Sequence, residues 1–253
     1  MNFSWKKFWS AIVVCCGFCV LAASPTVTLK TQLDIHKDLT PDRSPRAYRI
    51  LFIGASIMLH GVGDWTLKMG WDHEAGMAAS SAEKDYVHLL SGKIQGYWPE
   101  RRIGVYYHNY GGSGSAANRL AALSRVAPVK PHLVIVQLGG HEKSLAEFQD
   151  GLHKLLAALQ AMDSHPKVIC TGIWDPSDHG KFAAYQGNSA AADQMIAREC
   201  ALFKIPYVSV EKYALDPKCS GWGTHPGVQW HPNDNGHRGY ADELFSAFLT
   251  LQQ

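Results

Sequence analysis

Charge is scarce in this chain of 253 residues: only 18% are Asp, Glu, Lys or Arg, the formal net charge is +2, and Lys and Arg form no block or stripe. A phosphate backbone is held by clustered cations, so nucleic acid is excluded as a partner. Cysteine is equally sparse. Cys15, Cys16 and Cys19 fall in an apolar leader, which leaves Cys170, Cys200 and Cys219, with no Cys-x-x-Cys pair. At most one internal disulfide can form, and neither a disulfide scaffold nor a structural zinc site is implied. No internal repeat or low-complexity stretch is present, and no apolar run reaches the roughly 20 residues of a membrane span.

What is present begins with that leader. Lys6 and Lys7 precede an apolar run from Phe8 to Ala23, with small residues at Ala22, Ala23 and Ser24. A basic start, a short apolar centre and a small-residue end make residues 1–24 a secretory signal or signal anchor, which predicts export. If it is uncleaved, residues 8–23 would tether the protein to a membrane, facing outward. Loss of the leader removes Lys6 and Lys7 and leaves a formally neutral chain. Residues 25–46 are polar, carry Pro25, Pro41 and Pro45, and read as a linker. One domain over 47–253 is expected from the length.

Within that domain, Ile50 to Ile53 is a continuous apolar run that stops at Gly54, two residues before Ser56. Such a run reads as a strand buried on both faces, and the glycine permits a sharp turn at its carboxyl end. Ile103–Tyr107, Leu133–Val136, Lys167–Ile173 and Pro206–Val210 repeat the strand signal. Helical spacing between them covers 85–95, 116–126, 144–162 and 190–203, and a last helix closes the chain. The alternation predicts an α/β fold: a three-layer α/β/α sandwich, flavodoxin-like, on a mostly parallel five-stranded sheet. Open sheets of this kind bind ligands beyond the carboxyl ends of their strands. Ser56, the glycine turns at 111–114 and 139–140, and a late loop carrying His231 would meet there. A serine, exposed amides and a histidine are the parts acyl transfer requires: nucleophile, oxyanion donors and general base.

On these residues the chain resembles the SGNH (GDSL-type) hydrolase family over 48–250. Gly54-Ala55-Ser56 is similar to its first block, with Ile57 where leucine is usual. Asn109-Tyr110-Gly111-Gly112-Ser113-Gly114 is similar to the second, Gly139-Gly140-His141-Glu142 to the third, and His231-Pro232-Asn233 to the last. The resemblance implies Ser56 as nucleophile, His231 as base, and an oxyanion hole from the amides of Ser56 and Gly111 with the side chain at 141. It implies esterase, lipase or acyltransferase chemistry without a metal or organic cofactor. Two positions depart from the pattern. His141 replaces the oxyanion-hole asparagine, although an imidazole N–H can also donate. Val228 stands where the family places the acid that orients the histidine. A backbone carbonyl in the 225–230 loop, Asp175 or Asp178 would have to serve instead, and a Ser-His dyad on a carbonyl is the favoured reading.

His225, His231 and His237 recur every six residues, which suits neither a helical face nor common metal spacing. Glu142 reads as a helix-start residue favoured by the dipole. Trp65, Trp71, Trp174, Trp222 and Trp230 fall in loops expected near the site, where indole faces can stack on sugar rings. With Trp65, Trp71, Trp174 and Trp230 as substrate contacts, the expected substrate is a small or glycan ester and the expected reaction removal of O-acetyl groups. The absence of a large apolar lid argues against long-chain lipids. The rivals are a polysaccharide O-acyltransferase using the same residues, and a glycan-binding domain with weakened catalysis.

Overall fold

The computed structural model describes residues 33–36, 41–112, 114–176 and 189–253. The expected leader, most of the expected linker, Ser113 and Asp178 lie outside the described residues.

Six strands form one sheet: β1 (Leu33–His36), β2 (Ala47–Ile53), β3 (Arg102–His108), β4 (Leu133–Val136), β5 (Lys167–Thr171) and β6 (Tyr207–Val208). All neighbours are parallel, in the order β1-β3-β2-β4-β5-β6. The helices are α1 (Asp64–Lys68), α2 (Tyr86–Tyr97), α3 (Ala116–Ala121), α4 (Leu145–Gln160), α5 (Ser189–Leu202), α6 (Glu211–Ala214), α7 (Pro226–Trp230) and α8 (Asp234–Thr250). The five expected strands are therefore in place, and the reading of 25–46 as a linker is corrected by the sixth. Residues 33–36 pair along the outer edge of β3, Leu33 opposite Ile103 and His36 opposite Tyr106. Four residues among prolines carry too short a pattern to read as a strand; the open edge of β3 supplies the backbone partners that make them one.

Period-two alternation splits each apolar run between two cores. Leu51, Ile53, Val134, Val136, Val168 and Cys170 face one way, against Phe148, Leu152 and Leu155 of α4 and Met195 and Ile196 of α5. Ile50, Phe52, Leu133, Ile135 and Ile169 face the other way, against Tyr86, Leu90 and Ile94 of α2 and Tyr240, Leu244 and Phe248 of α8. That is why Ile50–Ile53 of β2 and all of β4 are apolar: both faces are covered. Asp85, Ser115, Ser144 and Asn233 cap α2, α3, α4 and α8 through side-chain oxygens, which sets where each helix begins. The helix expected over 116–126 ends at Ala121 and continues as 3-10 turns, where Pro128 removes a backbone donor. Cys170, Cys200 and Cys219 are all buried free thiols. Among the described residues no helix is long and apolar enough to cross a membrane.

From β2 the chain passes outward to β3, then crosses over β2 to β4 on its other side. The order of strands reverses at β2, so the crevice lies beyond its carboxyl end, where Ser56 follows.

Candidate active site

Gly54 makes the turn that carries Ser56. A Cβ there would lie 2.8 Å from Met58 Cβ and 3.2 Å from the Gln137 carbonyl oxygen, so only glycine fits between β2 and the end of β4. The amides of Met58 and Leu59 then both donate to the Ala55 carbonyl, closing one helical turn under the serine. The long loop that follows folds back, and Met77 N–H donates to the Ser56 carbonyl at 2.8 Å. His237, fully buried at the start of α8, braces that loop through Nε2 to the Met77 carbonyl, 3.1 Å away.

His231 follows α7 and comes to Ser56 from 175 residues away in sequence, with 2.7 Å between Nε2 and Ser56 Oγ. Its Nδ1 lies 2.5 Å from the Gly227 carbonyl oxygen. A carbonyl can only accept, so Nδ1 carries the proton and Nε2 presents a lone pair to the serine hydroxyl. Of the three groups considered for orienting His231, the Gly227 carbonyl holds Nδ1; Asp175 does not. Val228, in the family's acid position, is fully buried. Trp174 Nε1 donates to the Trp230 carbonyl at 2.7 Å and ties the end of β5 to the histidine loop. Burial holds the His231 pKa down at about 3, keeping the ring neutral as a base must be, with the Gly227 bond opposing that shift.

The second and third blocks complete the pocket, with one correction. Gly111 does not line the cavity over Ser56; Gly114 does. Gly111 has φ +98° and packs so tightly on α3 that a Cβ would meet the Asn118 carbonyl oxygen at 2.2 Å. It is a turn glycine. A Cβ on Gly114 would lie 2.5 Å from Ala55 Cβ and 2.8 Å from His141 Cδ2, so its bare backbone is wedged between the Ser56 turn and the His141 ring. The sequence signal for Gly114 was its place directly before Ser115, the cap of α3. Neither the Ser56 amide, the Gly114 amide nor the His141 ring has a hydrogen-bond partner among the described residues. His141 lines the cavity, and its pKa is held below the ordinary value by desolvation first, then by the charges of Arg119 and His60.

Beneath these loops lies a polar network the sequence did not disclose. Arg119, buried in α3, donates from Nε to the Gly54 carbonyl at 3.0 Å and from Nη1 to the Tyr110 carbonyl at 2.6 Å. Glu142, also buried, accepts from the Ala116 N–H at 2.6 Å. Its expected helix-start role is thus realised on α3 and not on the helix that follows it. Burial raises the Glu142 carboxyl from 4.5 to about 7. A folded-state pKa raised in this way contributes stability that is complete below the unfolded value and lost as pH rises through 7. Glu142→Gln should therefore lower the melting temperature relative to wild type more at pH 4.5 than at pH 8. A pH-independent difference between the two melting curves would refute this assignment.

The tryptophans divide. Trp65 on α1 is 58% exposed at the cavity, and Trp230 lines it beside His231. Trp71 is corrected: it is 0% exposed, packed among Ala75, Met77 and Ala79 with Trp222 against it, and no ligand can reach its face. Trp174 borders the cavity but is 2% exposed and stacks on Tyr240, so its ring is a wall and not a platform. The cavity holds about 410 Å³. Among the described residues, no group of His, Cys, Asp and Glu is placed to hold a metal ion.

The profile of the GDSL-like lipase/acylhydrolase family matches residues 52–238, well over half of the chain. The chain belongs to that family, a family of ester hydrolases. Its fold is shared by solved structures of low identity. A two-domain esterase active on acetylated mannans, co-crystallised with mannopentaose, is 17% identical, with a TM-score of 0.58 over 88% of this chain and 51% of the other. This GDSL chain thus spans about half the length of that esterase. The psychrotrophic esterase EstA from Pseudoalteromonas sp. is 15% identical, with a TM-score of 0.56 over 81% and 98%. The acetyl xylan esterase AlAXEase is 17% identical, with a TM-score of 0.55 over 79% and 98%. No match is found among curated protein sequences.

Proposed function

We propose that this protein is an exported serine esterase that removes O-acetyl or similarly short acyl groups from a carbohydrate. The observation that carries the reading is the contact of 2.7 Å between Ser56 Oγ and His231 Nε2 on the wall of an open cavity. Ser56 Oγ attacks the ester carbonyl as its proton passes to Nε2, and the resulting imidazolium is steadied through Nδ1–H by the Gly227 carbonyl. The oxyanion is met by the amides of Ser56 and Gly114 and by a ring N–H of His141. His231 returns the proton to the departing sugar hydroxyl. It then takes one from the water that attacks the acyl-serine, which frees acetate and restores Ser56.

Support for a sugar ester comes from Trp65 and Trp230 at the cavity and from the glycan esters on which two proteins of the same fold act. Export rests on the basic and apolar leader. Incubation of the purified protein with acetylated manno- and xylo-oligosaccharides should release acetate, while p-nitrophenyl palmitate should be turned over poorly or not at all. Preference for the palmitate ester would overturn the short-acyl reading. Recovery of the protein inside the cytoplasm with residues 1–24 attached would overturn export.

A further inference from the structure

Resting on that esterase reading, we propose that His60 and Trp65 form the subsite for the alcohol half of the substrate. A neutral sugar ring lies on the Trp65 indole, and a hydroxyl near the ester donates to His60 Nε2. His60 follows the nucleophile turn by four residues, and its backbone is pinned by an isolated bridge to Ala75, with its N–H 2.7 Å from the Ala75 carbonyl oxygen. The ring is half-buried, lines the same cavity as Ser56, and places Nδ1 2.8 Å from the Gly61 carbonyl oxygen. That carbonyl must accept, so in the neutral ring Nδ1 holds the proton and Nε2 is a lone-pair acceptor. Among the described residues nothing donates to Nε2. A hydroxyl is the donor a sugar offers.

Trp65 stands edge-on to this imidazole, with ring centroids 5.4 Å apart at 66°. Its exposure is not the looseness of a loop tip. The next residue, Thr66, is buried, donates through its hydroxyl to the Gly63 carbonyl and accepts from the Gly63 N–H, both at 2.9 Å, while its own carbonyl accepts from Trp71 N–H. The short helix is anchored on one side and presents a bare indole on the other, the form of a stacking platform. Among the described residues the cavity lining contains no Asp, Glu, Lys or Arg, a lining that suits a neutral ring.

The test compares purified wild-type protein with His60→Ala, His60→Gln and Trp65→Ala on two esters: p-nitrophenyl acetate, whose alcohol carries no hydroxyl donor, and acetylated mannotetraose. The ratio of kcat/KM on the sugar ester to that on the aryl ester should fall about tenfold in His60→Ala and Trp65→Ala, mainly through KM on the sugar, the size of one hydrogen bond or ring contact. His60→Gln, which keeps an acceptor oxygen, should recover part of it. A ratio within twofold of wild type in both alanine variants overturns the subsite, whatever happens to the absolute rates. A wild type active on neither ester sinks the esterase reading itself, and one active only on the aryl ester sinks both the glycan reading and the subsite.

Discussion

Ser56→Ala should abolish turnover of p-nitrophenyl acetate, with a fall in kcat on the order of 10⁴-fold or more, and His231→Ala should do the same. In the proposed mechanism each removes one half of a single proton-transfer unit, the pair joined at 2.7 Å, so the double variant should be no worse than either single one. Circular dichroism spectra matching wild type would show that the loss is chemical. Additive losses, or an active Ser56→Ala protein, would refute the dyad. The wild-type pH profile follows from the same geometry. A general base works unprotonated, and burial holds His231 at about 3 in place of 6.5. The acid limb of kcat/KM should therefore lie well below pH 6, with activity nearly flat as pH falls through 6.5. An acid limb centred on 6.5 would mean that burial does not depress His231 when the enzyme works.

The oxyanion donors carry the second large effect. His141→Ala should lower kcat about a hundredfold with KM little changed, because the ring N–H is of use only when charge develops on the carbonyl oxygen. His141→Asn should restore much of the loss, since an amide N–H can donate where the imidazole does. The two glycines of the second block separate by readout. Gly114→Ala should lower kcat, since its methyl would stand 2.5 Å from Ala55 Cβ and 2.8 Å from the His141 ring and push the nucleophile turn and donor apart. Gly111→Ala should act on the melting temperature instead: φ is +98° and the methyl would strike the Asn118 carbonyl oxygen, away from the cavity. Kinetic loss on Gly111→Ala without a drop in melting temperature would return the oxyanion role to Gly111.

Much of this was legible in the residues because the signals were local. Apolar runs closed by glycine marked β2 and β4, and helical spacing of apolar residues marked α4. The family blocks named Ser56 and His231 as a pair, and the fold brings them into contact. At the second block the sequence points to Gly111 where Gly114 lines the cavity, because several glycines in a row look alike until the helix they precede is packed. The sequence offers Trp71 and Trp174 as sugar contacts, because a tryptophan in a loop carries no mark of which side its ring will take. Both are buried by neighbours from elsewhere in the chain, Trp222 and Tyr240.

By itself, the sequence determined the layers, the parallel strands and the identities of the serine and histidine that meet at the site, since each depends on a period or a short motif within a few residues of itself. Only the tertiary structure decided what orients His231, which glycine lines the cavity over Ser56, where Arg119 and Glu142 tie the loops together, and which tryptophan stays in the open. Those are hydrogen bonds and packing contacts made across elements. Gly227 could be chosen over Asp175 only after α7 had formed, and Arg119 finds the Gly54 carbonyl 65 residues away only once α3 has packed on α4. A backbone carbonyl, moreover, is present in every residue and leaves no trace in the identity of any.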